Sequence, residues 1–424
     1  MAGVSGAELM AKFLISHPTG NMNVRQNALA LANAGLLAEF WTCLNFDIQQ
    51  WPWLLLPSGI RNQLGRRQFD LPDKTKIRAF PWHELGRLIL PKLPIAKNCA
   101  NLISRFNVDA VYRSLDEQMA RRLHKVRDVS GVMASEDGAC STFRQAHNMG
   151  LEAIYELPIG HWKAARNLLL EEAEREPQWA STITGNQDPD EKLERKDQEL
   201  RLASRVLVAS SYTRTTLEGT GVDMKHVKII PYGAVEAASE CVNGLLSPSS
   251  RDQAKLRLLF VGSLTQRKGI SYLFEAIDRL KPHVELTIIG RCAGPECRAL
   301  EHQLKRHRWI PSLPRQRILE EMRHHDFLLL PSLFEGFGLV LGEALSQGLP
   351  IVATAHTGAP DIITDGLEGF IVPIRSASAI VERLSRVLEN TELLPAMKEA
   401  AWQRAQQLTW QNYRHNLSSW LALS

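Results

Sequence analysis

Residues 331–373 read PSLFEGFGLVLGEALSQGLPIVATAHTGAPDIITDGLEGFIVP, and this stretch decides the fold. It follows Phe327-Leu328-Leu329-Leu330, an apolar run with the length and flanks of a buried parallel strand. Pro331-Ser332 stops the strand, and a loop with Glu335, Gly336, Phe337 and Gly338 follows. A helix is expected from about Leu339 to Gln347, with Gly348 where a C-terminal glycine belongs. Glycines at a strand-to-helix junction allow close backbone approach, and the first helical turn, Leu339 and Val340, offers unpaired N–H groups and a positive dipole end. Glu335 falls at the mouth of such a site, and Glu343, about a turn inside the helix, at its side.

Working outward, the same strand–loop–helix unit recurs upstream. Leu256 to Gly262 reads as a buried strand, Ser263 to Gly269 as its loop and Ile270 to Leu280 as a helix. Arg267 and Lys268 sit in that loop, at a helix N-terminus whose dipole already favours anions. A bound diphosphate would explain them. The alternation continues through strand 285–290, a helix around 296–307, Trp309-Ile310-Pro311, and a helix from 315 to 325. Strands 351–354 and 369–373 and closing helices rich in leucine and tryptophan complete it. His302/His307 and His324/His325 lack the i,i+4 spacing of helical metal ligands and read as surface residues.

The first half alternates less regularly. A strand at 12–18, a loop with Gly20 and a helix at 23–34 form a first parallel unit. Residues 36–127 look like an irregular insertion with helices, within which WPWLLLPSG (51–59) reads as a lid or core loop. A helix from Val108 and a short strand at 131–134 restore order. Glu136 and Asp137 follow at a strand's carboxyl end, where α/β ligands bind, and are acceptor-side candidates. Asp137 could equally cap the next helix through Arg144. A strand at 152–158 leads to His161, two charged helices (163–176 and 190–203) and a strand–helix unit from Arg205. Residues 236–255 are small and polar, as in a linker.

At 424 residues, two or three domains are expected, and 44% apolar with 23% charged residues is the composition of a soluble globular enzyme. The N-terminal sequence lacks a signal-peptide pattern, and no run approaches the ~18 apolar residues of a spanning helix. Six scattered cysteines without a CxxC pair argue against zinc and for a reduced, cytoplasmic chain. Net charge is +4, but residues 60–127 hold 15 Lys/Arg against 6 Asp/Glu. That segment is a solvated face, or a peripheral contact with anionic lipid at the inner membrane face or with a phosphorylated acceptor. No interleaved aromatics suggest nucleic acid.

The Glu335/Glu343 spacing, the EGFGL core, the TGAPD and GFIVP segments and the Arg267-Lys268-Gly269 loop together resemble family 4 glycosyltransferases. The resemblance is specific from Leu256 to about Arg386, fair over 195–233 and thin before that. It implies a GT-B fold, two doubly wound Rossmann-like domains facing a cleft. The boundaries expected are 1–234 on the acceptor side, 235–405 on the donor side, and a helix over 406–424 crossing back. It further implies that Glu335 contacts the transferred sugar and Glu343 the ribose hydroxyls. The Gly336–Gly338 amides would meet sugar and phosphate, and Lys268 the diphosphate, with Arg267 beside it. Ser263 stands where the family often has arginine. Gly20 falls near the phosphates, and Arg291, Ile310 and Leu313 near the base. His161 is the nearest match to a histidine that contacts the sugar. The implied reaction is retaining transfer from a nucleotide sugar, by family frequency a UDP-sugar, to the hydroxyl of a glycan, lipid or small molecule. No cofactor is implied, and no metal, since no Asp-x-Asp tripeptide stands at a strand end. A GT-B epimerase or phosphorylase, or a catalytically silent nucleotide-sugar-binding subunit, are the alternatives.

Overall fold

The computed structural model describes residues 11–46, 61, 65, 67–72, 74–92, 105–184, 188–237 and 255–423. It contains two all-parallel sheets. The first is built from β1 (Phe13–Ser16), β2 (Leu37–Thr42), β3 (Ile77–Ala79), β4 (Gly131–Ser135), β5 (Glu152–Leu157), β6 (Arg205–Val208) and β7 (Val227–Ile229), in the order β3-β2-β1-β4-β5-β6-β7. The second holds β8 (Leu256–Val261), β9 (Val284–Ile289), β10 (Arg308–Ile310), β11 (Phe327–Leu330), β12 (Ile351–Thr354) and β13 (Gly369–Val372), in the order β10-β9-β8-β11-β12-β13. All four residues of β1, β11 and β12 are buried, as befits strands covered by helices on both faces.

Strand order reverses between β1 and β4 in one sheet and between β8 and β11 in the other. The crevice outside the carboxyl ends of such strands is where doubly wound sheets bind ligands. Four loops open there: 17–21, 136–139, 262–269 and 331–338. The sequence motifs therefore fall where topology puts a site.

The irregular insertion expected over 36–127 is corrected in one respect, because it contains β2 and β3. Glu39 disguises β2. It is a charged residue buried in a parallel strand, answered by the Trp41 indole at 2.9 Å and by Lys76 and Arg78. Two more cations of this segment, Arg67 and Arg87, pair with buried Glu84. The lid expected at 51–59 and most of the 236–255 linker lie outside the described residues, as do Cys99 and Cys241. Among the described residues no helix is long and apolar enough to cross a membrane.

The final helix, Trp410–Ala422, packs on Met22–Asn33 of the first unit. Tyr413 donates to Asn27 at 2.6 Å and Arg414 to Gln26 at 2.6 Å. Two of the four histidines read as surface residues are not: His325 is buried, its Nδ1 2.6 Å from the Glu321 carbonyl, and His307 stacks on Phe274.

Candidate active site

The loops after β8 and β11 lie against each other, the Arg267 carbonyl accepting from the Leu333 amide at 2.8 Å. Gly269 has φ +70, and a Cβ there would lie 2.0 Å from the Pro331 carbonyl oxygen, so only glycine serves. This contact brings the Gln266–Lys268 turn against Glu335. The Lys268 ammonium pairs directly with the Glu335 carboxylate. Arg267 Nη1 lies 3.2 Å from the same oxygen and also donates to the Phe334 carbonyl at 2.8 Å. Lys268 is only 8% exposed. Burial pushes Glu335 up, but the two cations outweigh it and hold the carboxyl below its usual range. Two cations thus answer one carboxylate, which leaves unbalanced positive charge at the mouth of a crevice.

The glycine turn itself is docked on the first domain. A Cβ on Gly336 would sit 1.9 Å from the Pro158 carbonyl oxygen. The Gly336 carbonyl accepts from the hydroxyls of Ser210 and Thr213. Phe337 is buried edge-on to Tyr232, ring centroids 5.4 Å apart. Gly338, at φ +84, starts the helix Leu339–Ser346, whose first-turn residues Leu339 and Val340 are half-buried. Asp361 of the TGAPD segment accepts from both N–H and hydroxyl of Ser211.

Glu343 does not stand alone, since Arg315 Nε donates to it at 2.7 Å. Ser263 and Arg291 are exposed, and Ile310 and Leu313 half-buried, at the same end of the sheet. The Arg291 and Ile310 carbonyls accept from Leu264 and Gly290 amides at 2.9 and 3.0 Å. Gly20 is covered: its N–H donates to His17 Nδ1 at 2.8 Å, and the Phe69 ring occupies the place of a Cβ. His161 is the N-cap of helix Trp162–Arg175, buried, with Nε2 3.2 Å from Asp197. Burial lowers its pKa against the opposing pull of Asp197.

Between the domains lies a cavity of about 290 Å³, walled by Gly160, Trp162 and Arg166 on one side and Arg267 and Phe334 on the other, with Glu136 and Lys196 beside them. Lys196 Nζ lies 3.2 Å from Glu136. Burial pushes Glu136 up to about 7, the Lys196 charge opposing. Asp137, at φ +75, faces Lys192 and Lys196 instead of the cavity. Its expected pairing with Arg144 is replaced, because Arg144 turns to Gln198 at 3.3 Å. Asp116 caps the helix Cys140–Asn148 in its stead, accepting from Ser141 and Thr142 amides at 2.7 and 2.8 Å.

The raised Glu136 pKa has a definite sign. The folded chain keeps this proton longer than the unfolded chain, so the stabilisation is full below about 4.5 and lost as pH rises through about 7. Relative to Glu136→Gln, the wild-type protein is expected to lose on the order of 1–3 kcal/mol between pH 5 and pH 8. Urea melts of both proteins across that range measure it. A pH-independent difference would contradict the assignment.

Sequence reasoning missed Arg315, Lys196 and Trp162. Arg315 is 28 positions from Glu343, and the other two lie in helices whose charge pattern reads as solvated. No local spacing marks any of them.

Residues 246–404 match the family described as "Glycosyl transferases group 1", so the resemblance read from the second domain holds. The "Putative colanic acid biosynthesis glycosyltransferase WcaL" of Escherichia coli is 30% identical over 170 residues, 36% of this chain and 41% of that protein. The phosphatidyl-myo-inositol mannosyltransferase of Mycolicibacterium smegmatis is 29% identical over 216 residues, 50% of this chain and 54% of that one. The chain thus spans about half the length of the curated relatives it matches. Two solved structures share the whole architecture. Anabaena HepE in complex with UDP and glucose superposes with a TM-score of 0.62 at 14% identity, covering 98% of this chain and 100% of that one. The lipopolysaccharide outer core galactosyltransferase WaaB in apo form gives 0.60 at 17% identity, covering 98% and 99%. The fold is GT-B.

Proposed function

We propose that the chain is a retaining glycosyltransferase that moves a sugar from a nucleoside diphosphate, UDP in particular, to an acceptor hydroxyl. The observation that carries this is the meeting of Lys268, Arg267 and Glu335 where the loops after β8 and β11 touch, beside the interdomain cavity. Lys268 and Arg267 neutralise the charge that develops on the leaving diphosphate. Glu335 and the amides of Gly336 to Val340 hold the sugar and its phosphate, and Glu343, with Arg315, holds the ribose. The acceptor enters from the Trp162 and Glu136 wall. In a retaining transfer the acceptor arrives on the face of the leaving group, whose oxygen takes its proton. No base beneath the sugar is then required.

UDP as carrier is supported by the UDP complex of Anabaena HepE. A thermal-shift panel of nucleoside diphosphates tests the base directly. Turnover of the matching nucleotide sugar, with and without cell-extract acceptors, tests transfer. Proton NMR of the first product decides retention, and a β-linked product from an α-linked donor would overturn it. Because protein cations neutralise the diphosphate, transfer is expected to persist in chelator. Loss in chelator with recovery in magnesium or manganese would refute this. In this reading the protein acts in the cytoplasm, with the basic 60–127 segment as its contact with anionic lipid at the inner membrane face.

Glu343→Ala is expected to weaken nucleotide binding tenfold or more, since charge-assisted bonds to ribose are worth roughly 1.5–3 kcal/mol each. Its present partner Arg315 is exposed enough to re-solvate, so the fold should survive. Calorimetry with unchanged affinity would remove Glu343 from the site.

A further inference from the structure

Glu172 lies in helix Trp162–Arg175, on the first domain by sequence, yet its carboxylate accepts hydrogen bonds from three residues of the second. It is fully buried. One carboxylate oxygen accepts from Gln266 Nε2 at 2.7 Å and from the Tyr272 hydroxyl at 2.9 Å. The other accepts from Arg375 Nε at 2.7 Å. Arg375 is held in turn by the Leu168 carbonyl and Glu171 of the same helix.

Gln266 is the residue through which this matters. It is fully buried and opens the turn that carries Arg267 and Lys268. Its amide nitrogen Nε2 also donates to Ser271 Oγ at 2.6 Å, and its Oε1 accepts from the Ser271 N–H at 3.1 Å. Its backbone N–H donates to Thr182 Oγ1 at 2.8 Å, a second contact from the segment after the same helix. The loop facing Glu335 is therefore held from behind by two groups of the opposite domain. A buried carboxylate with three donors sets orientation tightly, because moving any donor leaves charge unpaired.

We propose that Glu172 is a positioning residue. Through Gln266 it holds the Arg267–Lys268 turn in the geometry that meets a diphosphate, so that the grip is complete only when the two domains are closed on each other. This rests on the donor reading above, and a rigid support behind a binding loop is what accurate placement requires.

The test uses the full-length protein with Glu172→Gln, and with Tyr272→Phe as a milder variant that removes one donor of three. Hydrogen–deuterium exchange without nucleotide is read over 264–270, where the Lys268 and Gly269 amides are bonded within the turn. Exchange there is expected to rise about tenfold or more in Glu172→Gln and less in Tyr272→Phe, while helix Leu393–Gln407 is unchanged. Calorimetric Kd for UDP, GDP and ADP is then expected to rise about tenfold for whichever the wild type binds. Unchanged loop exchange, a rise spread over both domains, or a loosened loop with unaltered Kd would each overturn the proposal. Should Glu172→Gln not fold, the same outcomes are judged on Tyr272→Phe. Wild-type protein that binds none of the three nucleotides would sink the donor reading instead, and the exchange measurement alone would then decide the role of Glu172.

Discussion

Replacing Lys268 by alanine is expected to lower sugar transfer by about 10²–10³-fold, the size of effect seen when one preorganised donor to a developing anion is lost. The ammonium is nearly buried and its charge is opposed by burial, so it is an ion kept in an expensive place. Glu335 alone does not balance two cations, and the leaving diphosphate of the proposed reaction would. The variant should also hold the nucleotide more weakly, but its fold should persist, because Glu335 retains Arg267. Single-turnover transfer assays with a saturating donor separate the rate from the binding. Full turnover in a folded Lys268→Ala protein would remove the lysine from the mechanism.

Gly336→Ala is expected to lower transfer to a similar extent through a different cause. The added methyl would lie 1.9 Å from the Pro158 carbonyl oxygen, a backbone atom of the other domain that cannot rotate aside. The domains must then separate locally, which breaks the Ser210 and Thr213 bonds to the Gly336 carbonyl. Donor contacts on the second domain alone remain. Nucleotide affinity should therefore fall only a few-fold while transfer falls ~10²-fold, since a misplacement of about 1 Å is enough for that. Equal losses in binding and transfer would mean that the turn is damaged in itself and that closure is not what the glycine serves.

The sequence determined the alternation of strand and helix from Leu256 onward. Parallel strands covered on both faces are continuous apolar runs, as in Phe327–Leu330 and Ile351–Thr354, and the glycines between them mark where backbones must approach. Lys268 and Glu335 each sit at a strand-to-helix loop, and a doubly wound sheet brings such loops together, but their roles came from the resemblance to family 4 glycosyltransferases. Only the tertiary structure decided the rest. Strand β2 was hidden by Glu39, whose charge is answered from outside its own strand, by Lys76 and Arg78. The Arg315 partner of Glu343, the Lys196 partner of Glu136 and the Glu172 clamp on Gln266 all join residues from 28 to 94 positions apart. Periodicity and spacing report what neighbours in the chain share. A buried charge is placed by partners that the fold brings to it, and no local pattern encodes them.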